Sequence, residues 1–360
     1  MEQQSLAEKI RAGERLNAAE ALALWDLDLH TLGRLADLVR RSRHPEPVVT
    51  YVVDRNINYT NVCISGCRFC AFYRPPGHPE GYVLDQMALE QKLAETLALG
   101  GTGVLLQGGL NPGLPLKYYE DLVRYIRGRF GLHVHGFSPP EIAFWARETQ
   151  RPIPEILARL IDAGLGSIPG GGAEILVERV RQTISPRKCS THEWLAVMEA
   201  AHDLGLRTTA TMMFGHLETR AERVEHLLRL RDLQDRTGGF TAFIPWSFQP
   251  NGTALGGAAA SALEYLKTLA VSRLVLDNFA NLQVSWVTQG AKIAQVALSF
   301  GANDFGSTMI EENVVAAAGV SFRLSREEIV RQIVTAGYRA RQRDHLYRQV
   351  ETKGEAEPAS

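Results

Sequence analysis

The chain has 360 residues, 45% hydrophobic and 22% charged, with a formal net charge of -1. That is ordinary globular composition, and near-neutral charge removes the bulk pull toward nucleic acid or an anionic membrane. No run of 18 apolar residues exists to cross a bilayer, and the first residues lack the apolar centre of a secretion signal; the expectation is a cytoplasmic protein with no nucleic-acid partner and no membrane insertion.

Residues 1–48 show broken helical spacing at Leu6, Ile10, Leu22, Leu24, Leu29, Leu32 and Leu35, closed by Pro45 and Pro47. They are expected to form an N-terminal helical segment. From 49 to 320 the pattern alternates strand and helix. Strands are expected at 51–53 with 56–60, 102–107, 132–137, 166–169, 208–214, 241–246, 282–287 and 304–310. Helices are expected near 86–99, 117–129, 140–164, 174–182, 191–204, 220–236, 262–280 and 290–300. Asp85 is placed to cap the first helix and Gly100 to end it with positive φ. Ser190 with Glu193, Thr219 with Glu222, and Ser325 with Glu328 fit the capping box. About eight β/α units imply a parallel sheet, and the expected fold is α/β, a (β/α)8 TIM-type barrel. A six-unit open barrel is the alternative. Residues 321–350 are expected to form a C-terminal helical extension, and the polar 351–360, with Pro358, a flexible tail.

A barrel of this kind keeps its chemistry at the C-terminal strand ends. There the sequence places Gln107-Gly108-Gly109, Phe137-Ser138-Pro139-Pro140-Glu141, Pro169-Gly170-Gly171-Gly172-Ala173-Glu174 and Phe214-Gly215-His216. Directly after the first strand comes Cys63-Ile64-Ser65-Gly66-Cys67-Arg68-Phe69-Cys70, spaced C-x3-C-x2-C. Three thiolates on a four-iron cluster leave one iron open. An open iron can chelate the amino and carboxylate groups of S-adenosylmethionine (SAM), and one electron can then cleave the sulfonium to a 5′-deoxyadenosyl radical. A structural zinc site is the competing reading, but it draws on four ligands. The fourth cysteine, Cys189, is remote and reads as an ordinary thiol.

Other residues follow from position. Phe69, inside the cysteine loop, is placed to cover the cluster and the adenine of SAM. Gly108 and Gly109 let a ligand approach the backbone. His133 and His135 share one strand face, pointing inward, and His135 reads as polar lining of a substrate cavity. Glu174 opens the expected helix at 174–182, where a carboxylate suits either the hydroxyls of a ribose or the helix N-terminus. Asp304 and Glu311, near the last strand, are acidic groups suited to substrate contact, to base chemistry or to plain solvation.

Taken together these stretches resemble the radical SAM enzymes of the futalosine route to menaquinone. The likeness runs through the cysteine loop and the segments YVL (82–84), AEIL (173–176), MMFGH (212–216), FIPW (243–246) and MIEEN (309–313). The cysteine motif identifies only the superfamily; the other segments are more specific. The cyclising member is the best fit. The resemblance implies that the radical removes the C4′ hydrogen of dehypoxanthine futalosine. The carbon radical then adds to the substrate's benzoate ring, and loss of one electron and one proton restores aromaticity. It implies Cys63, Cys67 and Cys70 on a [4Fe–4S] cluster, SAM contacts from Phe69, Gly108, Gly109 and Glu174, and Ser138 facing SAM or substrate. A flavodoxin- or ferredoxin-type electron donor is expected. Tyr73 is the expected base for the closing step, with Asp304 and Glu311 behind it. Arg74 or Arg273 is expected to meet the benzoate carboxylate, with His135 also touching substrate. Aminofutalosine synthase and a deazaflavin-cofactor synthase, which join two molecules, are the alternatives. A non-catalytic iron–sulfur or zinc protein is the alternative of another class.

Overall fold

The structure, a computed structural model, describes residues 2–320 and 322–350. The tail expected over 351–360 lies outside the described residues, as does Ser321.

Three helices, Glu2–Arg11, Ala18–Ala23 and Leu29–Arg43, precede the first strand. The strands are β1 (Val48–Val52), β2 (Asp54–Asn58), β3 (Gly103–Gln107), β4 (His133–Gly136), β5 (Ser167–Ile168), β6 (Arg207–Phe214), β7 (Phe240–Ser247), β8 (Asn281–Leu282), β9 (Asp304–Ser307) and β10 (Arg339–Arg343). All their ladders are parallel, with β2 to β8 side by side in chain order and β1 between β10 and β9. Only Val53 separates β1 from β2. A parallel bridge from Gln283 to Asp304 links the end of β8 to β9, and the Thr308 and Ile310 amides donate to the Val52 and Asp54 carbonyls. With β1 and β2 counted as one run, eight parallel strands among the described residues surround an interior, the (β/α)8 arrangement. The regular ladders themselves form two sheets, joined thinly between β8 and β9.

Local chemistry accounts for the helix ends. Asp85 accepts from the Ala88 amide, and Gly100 ends that helix at φ +78°. The three boxes headed by Ser190, Thr219 and Ser325 are formed. Some segments differ from expectation. The helix expected at 174–182 begins only at Glu178, because Glu174 has φ +41°, outside helical space. The expected strand at 282–287 shortens to Asn281–Leu282, and Trp286 already starts a helix.

The C-terminal extension expected to be helical carries the helix Arg326–Thr335, but then adds β10. The segment Arg339-Ala340-Arg341-Gln342-Arg343 alternates, a period-two pattern masked by its charge. It pairs with the edge of β1 below β3, where Gln342 Nε2 donates to the Gly100 carbonyl. The residues after β10 turn into the barrel interior, and the His345 ring packs against Gly103.

Candidate active site

The cysteine loop leaves the C-terminal end of β2. Cys63, Cys67 and Cys70 are free thiols. Cys70 lies within electrostatic reach of Cys63 and of Cys67. The Cys63 sulfur accepts from the amides of Ser65 (3.4 Å) and Leu110 (3.3 Å), and the Ser65 hydroxyl lies 3.1 Å from the Cys67 sulfur. Burial pushes the Cys67 thiol up to about 11 and raises Cys70, while the amides of Tyr73 and Phe72 offset the rise at Cys70. The second strand end is moulded onto this loop. A Cβ on Gly109 would collide with the Val62 carbonyl and come within 2.8 Å of the Cys63 Cβ, so only glycine fits. Gly108 donates its amide to Glu141 (3.2 Å). That buried carboxylate also takes the Tyr59 hydroxyl and both the amide and the hydroxyl of Ser138. Glu141 thereby ties three strand ends together, and the Ser138 hydroxyl is spent inside the tie.

Glu174 sits beside the loop. Lys188 places its ammonium 2.6 Å from Glu174 and 5.3 Å above the centre of the Phe69 ring. Against the upward push of burial, Lys188 holds Glu174 below the usual carboxylate range. The same ammonium lowers the cost of a negative Cys67 and Cys70. Cys189, next in sequence, is buried and faces Arg181, whose guanidinium lies 3.7 Å from its sulfur.

Below the loop lies a cavity of about 280 Å³. Gln107, Gly171, Gly172 and Glu174 form its upper wall. Its sides carry Asn56, His135, Thr209, Thr211, Trp246 and Trp286, and its floor carries Asp54, Gln283, Ser307, Arg343, His345 and Tyr347. Backbone strain collects at the strand ends around it: Phe137, Glu174 and Met309 hold φ of 60°, 41° and 45°, conformations kept only where the surroundings enforce them. Arg343 pairs through two nitrogens with Asp304 and lies 3.7 Å over the Tyr347 ring. Two polar atoms in the wall, Asn56 Oδ1 and His345 Nε2, are buried without a hydrogen-bond partner, which leaves the cavity with unmet polar demand.

The expected site residues divide sharply. Cys63, Cys67, Cys70, Phe69, Gly108, Gly109, Ser138 and Glu174 gather at the mouth, and His135 lines the wall. Other expectations need correction. Arg273 is buried in the helix Ala262–Val275 and donates to the Gly301 carbonyl and to Asn303, bracing the start of β9. Burial lowers it to about 9, and it does not line the cavity. Arg74 pairs with Glu80 at 2.6 Å and donates to the carbonyls of Ala71, Phe72 and Tyr73; it braces the cysteine loop from outside. Tyr73 also stays out of the cavity wall. Asp304 has Arg343, Thr50 and the Gly306 amide on its oxygens. Glu311 faces Arg55, Lys92 and Asn313, which hold it low against burial. Sequence reasoning missed Lys188, Asp54 and the set Arg343, His345 and Tyr347. Among the described residues no three His, Cys, Asp or Glu are grouped to hold a single metal ion, and no helix is long and apolar enough to cross a membrane.

The comparisons agree with this geometry. Residues 57–230 match the radical SAM superfamily, and residues 237–355 match the CofH/MqnC C-terminal region. The chain is 45% identical to a cyclic dehypoxanthine futalosine synthase of Halalkalibacterium halodurans, over 98% of this chain and 96% of that one. It is 45% identical to the Streptomyces coelicolor enzyme of the same name, over 96% and 88%. It is also 42% identical to a 5-amino-6-(D-ribitylamino)uracil–L-tyrosine 4-hydroxyphenyl transferase of Methanothermobacter thermautotrophicus, over 94% and 95%. In fold it is similar to methylornithine synthase, with a TM-score of 0.73 at 18% identity, covering 92% of this chain and 96% of that one. The mouth that the cysteine loop builds, and relatives matching from end to end, place the chain among the radical SAM enzymes, in the branch that carries the CofH/MqnC C-terminal region and includes the futalosine synthases of menaquinone biosynthesis.

Proposed function

We propose that the protein cyclises dehypoxanthine futalosine to cyclic dehypoxanthine futalosine. The observation that carries the reading is the near end-to-end 45% identity to two synthases of that name. One continuous cavity beneath the cysteine loop suits a reaction within one substrate molecule.

The residues at the mouth fit a [4Fe–4S] cluster and SAM. Three thiols share one loop, amides and a hydroxyl point at their sulfurs, and the half-buried Lys188 offsets negative charge. Cys63, Cys67 and Cys70 would hold the cluster. Gly108 and Gly109 give SAM close access to the backbone, Phe69 offers an aromatic face, and Glu174, fixed by Lys188, presents its carboxylate to a ribose. When bound, these groups supply a radical that abstracts a hydrogen atom. The chain's own residues hold the substrate's C4′ below the mouth and keep water out. Apolar walls at Val52, Leu105, Ile244, Trp246 and Trp286 suit the benzoate ring, and the side-chain amides and hydroxyls between them suit the sugar. A flavodoxin- or ferredoxin-type donor supplies the electron.

The test is anaerobic incubation of the reconstituted enzyme with SAM, reductant and dehypoxanthine futalosine, with products read by mass. Cyclised product in step with 5′-deoxyadenosine is expected. No cyclised material here, with a coupling product when 5-amino-6-(D-ribitylamino)uracil and tyrosine are supplied instead, would overturn the assignment in favour of the transferase-like alternative.

A further inference from the structure

Closing the ring leaves an unpaired electron spread over the former benzoate. Rearomatisation then breaks one ring C–H bond. The proton leaves, the bonding pair stays with the ring, and one electron passes to a one-electron oxidant of the iron–sulfur class. The proton needs an acceptor that touches the cavity. Three carboxylates line it: Asp54, Glu174 and Glu312. Glu174 is paired with Lys188. Glu312 spends both oxygens on the amides of Val314, Val315 and Ala316. Asp54 accepts the Ser307 hydroxyl on one oxygen; its other oxygen lies 3.5 Å from the unpartnered His345 Nε2.

We infer that Asp54 takes the proton released on rearomatisation, with the neutral His345 imidazole beside it. The inference rests on the cyclisation proposed above. Three imidazoles cluster beneath it. The His345 ring stacks on His133 at 5.2 Å and lies 5.4 Å from His135. The Ser167 hydroxyl is 2.7 Å from both His135 Nδ1 and His133 Nε2. One hydroxyl proton between two ring nitrogens fixes the orientation of His135 and His133 in this cluster.

The surroundings tune the acceptor. Burial raises Asp54 to about 6, while the Ser307 hydroxyl and Arg343 oppose the rise and Asp304 adds to it. Tyr347 and His345 face it from the C-terminal segment, and His135 lines the same cavity from β4. Burial, with Arg343 nearby, keeps His345 neutral, so the proton stays with Asp54. A carboxylate poised near neutral pH is a suitable base.

The experiment measures cyclised product and 5′-deoxyadenosine together in reconstituted wild type, Asp54→Asn and His345→Gln, across pH. Asp54→Asn keeps the shape and the Ser307 hydrogen bond. It should still form 5′-deoxyadenosine, while product per 5′-deoxyadenosine falls about 10²–10⁴-fold. His345→Gln should lower the same ratio by less. In wild type the ratio should be level above pH about 6 and fall below it as Asp54 protonates. Difference infrared titration of the wild type against Asp54→Asn should show the missing carboxyl titrating near the same pH. A wild-type ratio in Asp54→Asn overturns the inference while leaving the cyclisation intact. Absence of cyclised product from the wild type overturns both.

Discussion

The mouth and the floor of the cavity are built in opposite ways. The mouth comes from contiguous runs. The cysteine loop, the Gly108–Gly109 turn and the strained loop at Glu174 each present several functional groups within a few residues, much of it through backbone. The floor comes from single side chains on distant strands: Asp54 on β2, Ser307 on β9, and Arg343 and His345 at the end of the chain. The mouth has the form of general chemistry, a cradle that any substrate could share. The floor is where one substrate would be told from another. The relatives fit this division: the synthases and the 4-hydroxyphenyl transferase are named for different substrates, while each match extends over 94% or more of this chain.

The largest effect should come from the mouth. Replacing Cys63, Cys67 or Cys70 by Ala should abolish 5′-deoxyadenosine formation with or without substrate, whereas Cys189→Ala, facing Arg181 and not the loop, should retain it. Iron content and the cluster's visible absorption check the result, and full activity in Cys67→Ala would break the reading of the mouth. The floor should answer as stability. Asp304→Asn removes the partner of the buried Arg343 guanidinium, and breaking a buried pair from one side costs about 3–5 kcal/mol. Denaturant titration should show that loss, and a change below about 1 kcal/mol would show that Arg343 finds other partners.

The contrast also explains what the sequence could tell. Motif reading picked out the residues of the mouth because they are neighbours in the chain. It found His135 because period-two alternation carries inward direction. It did not foresee the partners of Arg273 and Arg74, since a cation's position along the chain does not say whether carbonyls or a ligand receive it. Both serve carbonyl groups of the fold. The floor stayed hidden because β10 looks like a charged surface segment, and only pairing with β1 turns Arg343 and His345 inward. Lys188 lay within reach as a lysine beside Cys189, yet nothing in the sequence ties it to Glu174, fourteen residues earlier.

A middle-sized effect belongs to the pair that joins the two regions. Glu174 presents a carboxylate held by Lys188, and a hydrogen bond to a charged group contributes about 1.5–3 kcal/mol. Glu174→Gln keeps the shape and removes the charge. The apparent KM for SAM should rise by about tenfold or more, with less change in turnover once SAM is saturating. If the KM for SAM is unchanged and only folding stability drops, Glu174 is a structural partner of Lys188 and the mouth is smaller than drawn.

The smallest effect should be that of Tyr73→Phe, a residue three positions past Cys70 whose hydroxyl chemistry suits a base. Its backbone does the work: the amide points at Cys70 and the carbonyl accepts from Arg74. Among the described residues its hydroxyl has no hydrogen-bond partner, and the side chain is absent from the cavity wall. Phenylalanine preserves every one of those backbone contacts. Tyr73→Phe should therefore form 5′-deoxyadenosine and cyclised product in the wild-type ratio, with rates within about twofold, well short of the 10²-fold or greater loss that removing a general base brings. A stall before rearomatisation in this variant, with the ratio preserved in Asp54→Asn, would move the proton acceptor from the floor of the cavity to its mouth.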